Sequence, residues 1–382
     1  MRKRWIASIL ALMVLLTAVP FVRAAGPEIP APSAILIDAA TGTVLYEKNA
    51  NERLAPASVT KVMTLLLVME ALDSGRISWD DMVTASDAAA GKGGSQVYLE
   101  VGEQMSMDEM LKSVVVSSAN DCATALAEHV AGSEAAFVEM MNQRALELGL
   151  VDTHFVNCTG LDDEPNAAEH LTSAHDIAVM SRELLRHEAI RKYTTIWMDT
   201  VRGGKFGLSN TNKLVRFYDG TTGLKTGYTS SAGHCLSASA KRDGIELIAV
   251  VLHCASSPDR FQSAKALLDY GFANYALISA EAPEELPLVR VRLGRQAQIQ
   301  PELQQSAPLL IEKGKQAGVT KTVTMEEEIS APVTAGQQIG TLTITSEGQT
   351  LAEIPIIAPE AVEKLSWWEL TAGILRKLCM AG

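Results

Sequence analysis

The sequence predicts an α+β domain followed by a small all-β domain and a C-terminal amphipathic helix. Three observations carry this reading. Strand-like runs stand near both ends of residues 25–280 with helical periodicity between them, the pattern turns to apolar and polar alternation over 284–358, and residues 360–382 place apolar side chains at helical spacing. A length of 382 residues suits two domains, or one large domain with an extension. With 47% hydrophobic and 20% charged residues the chain can build a core, and 45 Asp+Glu against 33 Lys+Arg give a net charge of -12. That acidic balance excludes a general nucleic-acid binder, which needs a basic surface.

Taken in order, residues 1–24 read as a secretory signal peptide. Arg2, Lys3 and Arg4 precede the uncharged run Ile6 to Val19, and Val22-Arg23-Ala24 offers small residues for cleavage before Ala25. The run is shorter than the roughly 20 residues that cross a bilayer. Cleavage removes Arg2, Lys3, Arg4 and Arg23 and no acid, leaving a charge of -16. Ile35 to Asp38 and Thr43 to Tyr46 then read as two strands around a tight turn. Pro56 to Leu72 reads as a helix with Leu65, Val68, Met69 and Leu72 on its apolar side and Gly75 as its stop. Further helices are expected over 106–116, 121–130, 134–148, 173–186 and 259–270, with strands around Leu224, Cys235 and Ala249. Asp243-Gly244 is a strong two-residue hairpin signal between the last two of these strands. Strands drawn from both ends of the region imply a mixed sheet with helices packed on it.

Composition shifts between Glu281 and Pro287. Beyond it Val289, Val291 and Leu293, then Ile339, Leu342 and Ile344, alternate with polar residues as antiparallel strands do. This segment holds no His, Cys or Trp, so a scaffold role is expected. In the tail, Leu365, Trp368, Ala372, Leu375 and Cys379 recur at helical spacing beside Trp367, with Glu363, Lys364, Glu369, Arg376 and Lys377 supplying mixed charges. A Trp-bearing apolar stripe suits a helix lying in a membrane interface and held there by apolar wedging, and docking on its own domain or a partner is the alternative. Five cysteines are an odd number, so at least one stays free or pairs between chains. Cys235 and Cys254 meet only diagonally across the expected hairpin, roughly 7 to 8 Å apart, too far for an unstrained bridge. Buried small hydrophobes is the better reading for most of the five.

Three short motifs carry chemistry. Ser58-Val59-Thr60-Lys61 sets Ser and Lys at i and i+3 near a helix start, which puts them on one face with the ammonium in reach of the hydroxyl. Ser118-Ala119-Asn120 sits in a polar break between Val114-Val115-Val116 and the helix that follows, and Lys225-Thr226-Gly227 sits on a strand before Tyr228. Each alone has an ordinary structural reading: a first-turn Ser with a solvated Lys, a helix cap, an edge strand with an exposed Lys. All three in this order are much harder to attribute to chance, and together they form the S-x-x-K, S-x-N, K-T-G signature of penicillin-recognising acyltransferases.

Beyond these motifs the chain resembles the low-molecular-mass D-alanyl-D-alanine carboxypeptidases, serine peptidases of family S11 that bind penicillin. The resemblance rests on Pro56-Ala57-Ser58-Val59-Thr60-Lys61-Val62-Met63-Thr64, Ser118-Ala119-Asn120-Asp121, Thr153-His154-Phe155-Val156-Asn157, Asn210-Thr211-Asn212-Lys213-Leu214 and Gly223-Leu224-Lys225-Thr226-Gly227-Tyr228-Thr229. It runs from about Ser33 to Tyr275 and implies a β-lactamase/transpeptidase-like catalytic domain, with the β domain and tail also fitting the family's layout. It implies a peptidoglycan stem peptide ending in D-Ala-D-Ala as substrate, β-lactams as covalent inhibitors, a membrane surface as partner of the tail, and action on the outer face of the bacterial cytoplasmic membrane. No metal or organic cofactor is expected.

The roles follow from residue types. A Ser hydroxyl attacks only when a base takes its proton, so Lys61 must be partly neutral, which burial and a second cation such as Lys225 both favour. Ser118 is expected to relay a proton to the leaving amine, and Asn120 to hold the substrate amide or Lys61. Lys225 and Thr226 are expected to bind the terminal carboxylate as a point charge with a hydroxyl donor, with Arg216 or Arg260 as the assisting base. The family pattern makes the N–H groups of Ser58 and Tyr228, the latter reached through Gly227, the oxyanion hole. Asn157-Cys158-Thr159 matches a glycosylation acceptor but is discounted in a chain of bacterial layout.

Three other readings compete. A β-lactamase shares the motifs, and Glu164-Pro165 sits where its deacylating Glu belongs, but Ala168 stands four residues on where an Asn is expected, and the β domain and tail have no counterpart there. A non-catalytic wall-binding or penicillin-sensing protein would need no intact motif. An endopeptidase or transpeptidase would use the same acyl-enzyme and differ only in the acceptor.

Overall fold

In a computed structural model of the chain, residues 26–304 and 308–380 are described. The expected signal peptide lies outside them. Ser33–Asp38 (β1) and Val44–Lys48 (β2) pair antiparallel, and Thr221–Thr229 (β3), Gly233–Arg242 (β4) and Ile245–Cys254 (β5) complete a five-stranded sheet in the order β2-β1-β5-β4-β3. The two termini of the catalytic region therefore meet in one sheet, as the strand distribution predicts. Asp243 and Gly244 both take positive φ, 49° and 82°, at the β4–β5 turn, which is the requirement of a two-residue hairpin loop. Strand β3 forms the edge of the sheet that bears on the chemistry.

Lys61–Asp73 (α1) is buried on every side, Lys61 and Thr64 included, whereas the sequence suggests one apolar face. It contacts Asn120–Ala131 (α2) and Ala174–Arg186 (α4), and α2 contacts Glu134–Glu147 (α3). Two boundaries differ from expectation. The helix expected from Pro56 is regular only from Lys61, because Ala57 turns into the left-handed region at φ 48° and Ala57–Thr60 form a tighter 3-10 turn. The helix expected over 106–116 is α-helical only for Met107–Lys112 and widens to a π turn over Ser113–Ser117. There Ser113 Oγ donates to Glu109 O and Ser117 Oγ to Ser113 O, so side chains compete for the helix carbonyls.

The helix Ser257–Asn274 (α5) follows the sheet. The C-terminal compact unit gathers residues from Gly271 onward with the turns Asp38–Thr43 and Ala240–Leu247. Its strand Tyr275–Ile278, expected in the catalytic domain, pairs instead with Leu309–Glu312. The remaining strands include Val319–Met325, Gln338–Ser346 and Gln349–Ile357, paired antiparallel around Leu342, Ile344, Ile354 and Ile356. The expectation of antiparallel strands alone is corrected by Val289–Arg292, which pairs parallel with Glu328–Ser330. The intervening 293–327 is long enough for the crossover that parallel pairing needs. The tail helix expected over 360–382 runs from Trp367 to Met380 (α6), because Val362 and Lys364 form β-bridges to Val333 and Gly294. Ser366 and Glu369 exchange side-chain and backbone hydrogen bonds of 3.3 and 2.7 Å, a reciprocal cap that fixes the start.

Candidate active site

The nucleophile candidate sits in a turn that begins with a left-handed residue, Ala57. Ser58 lies in the 3-10 turn before α1, so one helical step brings Lys61 Nζ to 3.0 Å from Ser58 Oγ. The same amine donates to Asn120 Oδ1 at 2.6 Å and to the Thr159 carbonyl at 2.8 Å. Those two partners can only accept. An ammonium therefore satisfies all three, whereas a neutral amine keeps its two N–H bonds to Asn120 and Thr159 and leaves its lone pair facing the Ser58 hydroxyl. Lys61 is fully buried, and that desolvation pulls its pKa down to about 7. Lys225 is likewise pulled well below its ordinary value, by burial first and then by the charges of Lys61 and Arg260.

Asn120 opens α2 and is held at both ends. Its Nδ2 donates to Gly93 O at 2.7 Å and its N–H to Ser95 O at 2.7 Å, so the 93–95 loop aims Oδ1 at Lys61. A methyl group on Gly94, whose φ is 72°, would lie 2.8 Å from Asn120 Nδ2, which explains a glycine there. Ser118 caps the π turn in the left-handed conformation, at φ 66°. Two residues earlier, Val116 O accepts from Thr211 N, which joins this turn to the 210–212 segment.

Edge strand β3 supplies the remaining wall. Lys225 is buried, not exposed as an edge-strand Lys would be, and donates to Thr226 O at 2.9 Å. Thr226 Oγ1 donates to Thr211 Oγ1 at 2.7 Å. A Cβ on Gly227 would lie 2.6 Å from Pro56 O and 3.1 Å from Ser58 N, so only glycine lets this strand close on the nucleophile turn. Tyr228 follows, its ring exposed and stacked on His234 at 4.3 Å. Of the two arginine candidates, Arg216 is exposed on a short helix, while Arg260 is buried behind β3 with Nη1 donating to Gly227 O at 2.9 Å.

Several residues whose roles could not be read from the sequence hold this arrangement. Asn157 is buried, its Oδ1 accepts from the Thr159 and Gly160 N–H groups, shaping the turn that presents Thr159 O, and its Nδ2, the atom a glycan would need, donates to Leu161 O at 3.0 Å. Asp121 accepts from the N–H groups of Val97, Leu99 and Cys122, and Arg202 donates to the carbonyls of Val97 and Tyr98. His170 is buried against the Phe155 ring and bonds Thr60 Oγ1 at 2.8 Å; burial pulls its pKa down to about 4. A buried Asp directly after the S-x-N motif was a readable signal; the others act through backbone atoms or across long sequence separations. Glu164, the residue a β-lactamase reading needs, is engaged at 2.6 Å by Lys92, which also pairs with Glu134. Cys122, Cys158, Cys235 and Cys254 are buried free thiols.

Comparison with known proteins is consistent over nearly the whole chain. A family model described as D-alanyl-D-alanine carboxypeptidase matches residues 21–256, and one described as the C-terminal domain of penicillin-binding protein 5 matches residues 279–364. The D-alanyl-D-alanine carboxypeptidase DacF of Bacillus subtilis is 43% identical over 374 residues, which cover 95% of each chain. Penicillin-binding protein 5 from Haemophilus influenzae superposes with a TM-score of 0.75 at 32% identity, covering 89% of this chain and 99% of that one. Penicillin-binding protein D2 from Listeria monocytogenes, solved in its ampicillin-bound form, superposes at 0.59 with 30% identity over 64% of this chain and 100% of its own.

Proposed function

The chain belongs to the D-alanyl-D-alanine carboxypeptidase family, and on that premise we propose that it removes the terminal D-alanine from peptidoglycan stem pentapeptides through a Ser58 acyl-enzyme. The observation that carries the proposal is the Lys61 amine, 3.0 Å from Ser58 Oγ with its other two partners confined to acceptors. Above its depressed pKa the amine takes the Ser58 proton as Oγ attacks the carbonyl carbon of the penultimate D-Ala. The negative charge that develops on the carbonyl oxygen is received by the N–H groups of Ser58 and Tyr228, which Gly227 lets approach each other. Ser118 relays the proton that Lys61 took from Ser58 to the departing amine, which returns Lys61 to its neutral form as the C–N bond breaks and D-alanine leaves. Water, deprotonated by the same lysine, then attacks the ester and frees Ser58.

Lys225 and Thr226 receive the terminal carboxylate of the substrate. Arg260 supports them from behind the strand: with its Nη1 committed to the Gly227 carbonyl it contributes positive potential and strand position. β-Lactams enter the same pocket because they present an acyl group and a carboxylate in the same relation. We further propose that residues 1–24 export the chain, that 25–280 and 284–358 act as catalytic and scaffold domains, and that the tail holds the enzyme at the outer membrane surface. On α6, Trp367 and Trp368 are 83% and 85% exposed and Leu375 is 62% exposed, an apolar array suited to a lipid interface. Among the described residues no helix is long and apolar enough to cross a membrane.

The test gives the mature protein and Ser58→Ala a pentapeptide ending in D-Ala-D-Ala, and measures D-alanine release and covalent labelling by a fluorescent penicillin. The wild-type protein should do both and the variant neither. Normal release or labelling by Ser58→Ala would overturn the nucleophile assignment; rapid penicillin hydrolysis without D-alanine release would overturn the carboxypeptidase assignment.

A further inference from the structure

We infer that His170 and Thr60 are positioning residues that aim the Ser58 N–H into the oxyanion hole. The inference rests on the reading of Ser58 given above. Its basis is a hydrogen-bond chain whose direction is forced at every link. The Val156 N–H donates to His170 Nδ1 at 3.1 Å, so that nitrogen carries a lone pair and the imidazole proton sits on Nε2. Nε2 is 2.8 Å from Thr60 Oγ1, and Thr60 Oγ1 is 2.8 Å from Ala57 O. A carbonyl only accepts, so the hydroxyl proton points at Ala57 O and the imidazole proton points at the hydroxyl. The neutral imidazole with its proton on Nε2 is the one form that fits.

The end of this chain is what gives it a function. Ala57 O and Ser58 N belong to one planar peptide unit, and in the trans form its C=O and N–H point in opposite directions. Fixing the carbonyl toward Thr60 therefore fixes the Ser58 N–H away from it. A hydrogen bond accepted at the carbonyl also polarises the amide and strengthens the N–H as a donor. The unit is under conformational load, since Ala57 holds a left-handed φ of 48° that a residue with a side chain keeps only where its surroundings enforce it. The surroundings do so: Thr60 and His170 are 1% and 3% exposed, and a Cβ on Gly160 would collide with Ala57 O and approach Thr60 Oγ1 to 2.7 Å. Glycine at 160 leaves that carbonyl room.

The experiment compares the full chain with Thr60→Val, Thr60→Ser, His170→Ala and His170→Gln. For each it measures kcat and KM for D-alanine release, the affinity of a peptidyl boronic acid that forms a tetrahedral adduct on Ser58, and thermal unfolding. Thr60→Val keeps the shape of the side chain and removes the link. It should lose about 10-fold to 100-fold in kcat and the same factor in boronate affinity, with KM changed less than about threefold. His170→Ala should behave alike. Thr60→Ser, which keeps the hydroxyl, and His170→Gln, whose amide can accept from Val156 and donate to Thr60, should recover most of the loss. Unchanged kcat in a folded Thr60→Val would overturn the inference, as would losses that track the fall in unfolding temperature and are not recovered by Thr60→Ser. If the wild-type chain releases no D-alanine, the functional reading itself has failed, and the two failures are told apart.

Discussion

Lys61 shows how one buried side chain ties pH to rate. Full burial lowers its pKa to about 7, so below that pH the amine is an ammonium with no lone pair, and above it the neutral base dominates. The acylation rate, kcat/KM for penicillin labelling, should therefore rise with pH through an apparent pKa near 7 and level off above it. Lys61→Arg keeps a charge that cannot be shed, and should lose on the order of 10²- to 10⁴-fold at every pH, with no recovery on the alkaline side. A flat profile for the wild-type enzyme between about pH 5 and 9 would show that another group is the base. At this scale the sequence was informative wherever the chemistry lies in side-chain identity at short spacing. Ser58 with Lys61, Ser118 with Asn120, and the Lys225 to Tyr228 run could all be singled out, and the fold brings Ser58, Lys61 and Asn120 into hydrogen-bond contact, with Gly227 packed against the Ser58 turn. Thr159 could not, because its contribution is a backbone carbonyl that any residue would offer, and His170 could not, because it lies 110 positions from the Thr60 hydroxyl it serves.

Among the elements, the segment Val97 to Leu99 shows how a loop becomes as well defined as a helix. Asp121 takes its N–H groups, Arg202 takes its carbonyls, and Glu103 receives Arg202 in a bidentate pair of 2.7 and 3.0 Å. Two residues earlier the same chain holds Asn120 through Ser95 O. The clamp thus reaches Lys61 through Asn120. Arg202→Ala leaves two carbonyls and a carboxylate without their donor and should cost about 1 to 3 kcal/mol of stability. It should also lower kcat for D-alanine release, read alongside the unfolding temperature. Arg202→Lys should not restore either quantity, since an ammonium cannot span both Glu103 oxygens and two carbonyls at once; full restoration would show that charge alone matters there. The sequence placed the helices and strands by periodicity but not their interruptions. The π turn at 113–117 follows from Ser side chains bonding to helix carbonyls, and periodicity is blind to that competition.

On the scale of the whole molecule the α+β and all-β character was legible in the sequence, and the long-range strand partners were not. Tyr275–Ile278 reads as the close of the catalytic domain, yet it pairs with Leu309–Glu312, a pairing that needs a partner more than 30 positions away. The tail is the counterpart case and decides how it should be tested. Apolar spacing alone starts the helix near residue 360, but Val362 is 2% exposed, bridges Val333 and belongs to the core with Val289, Val291 and Ile356. Truncation from Ala361 would strip the β domain of a core residue and confound loss of anchoring with loss of folding. Truncation after Ser366 removes α6 alone. That shorter deletion, and the milder Trp367→Ser with Trp368→Ser, should move the protein from the membrane pellet to the supernatant. D-alanine release from a soluble pentapeptide should stay within about twofold, because the deletion touches none of the residues around Ser58. Apolar wedging without net positive charge also predicts that raised salt leaves wild-type membrane binding unchanged, whereas electrostatic attachment would weaken with it. Sedimentation unaltered by the deletion would leave α6 as a helix for some other surface and remove the tail from the attachment mechanism.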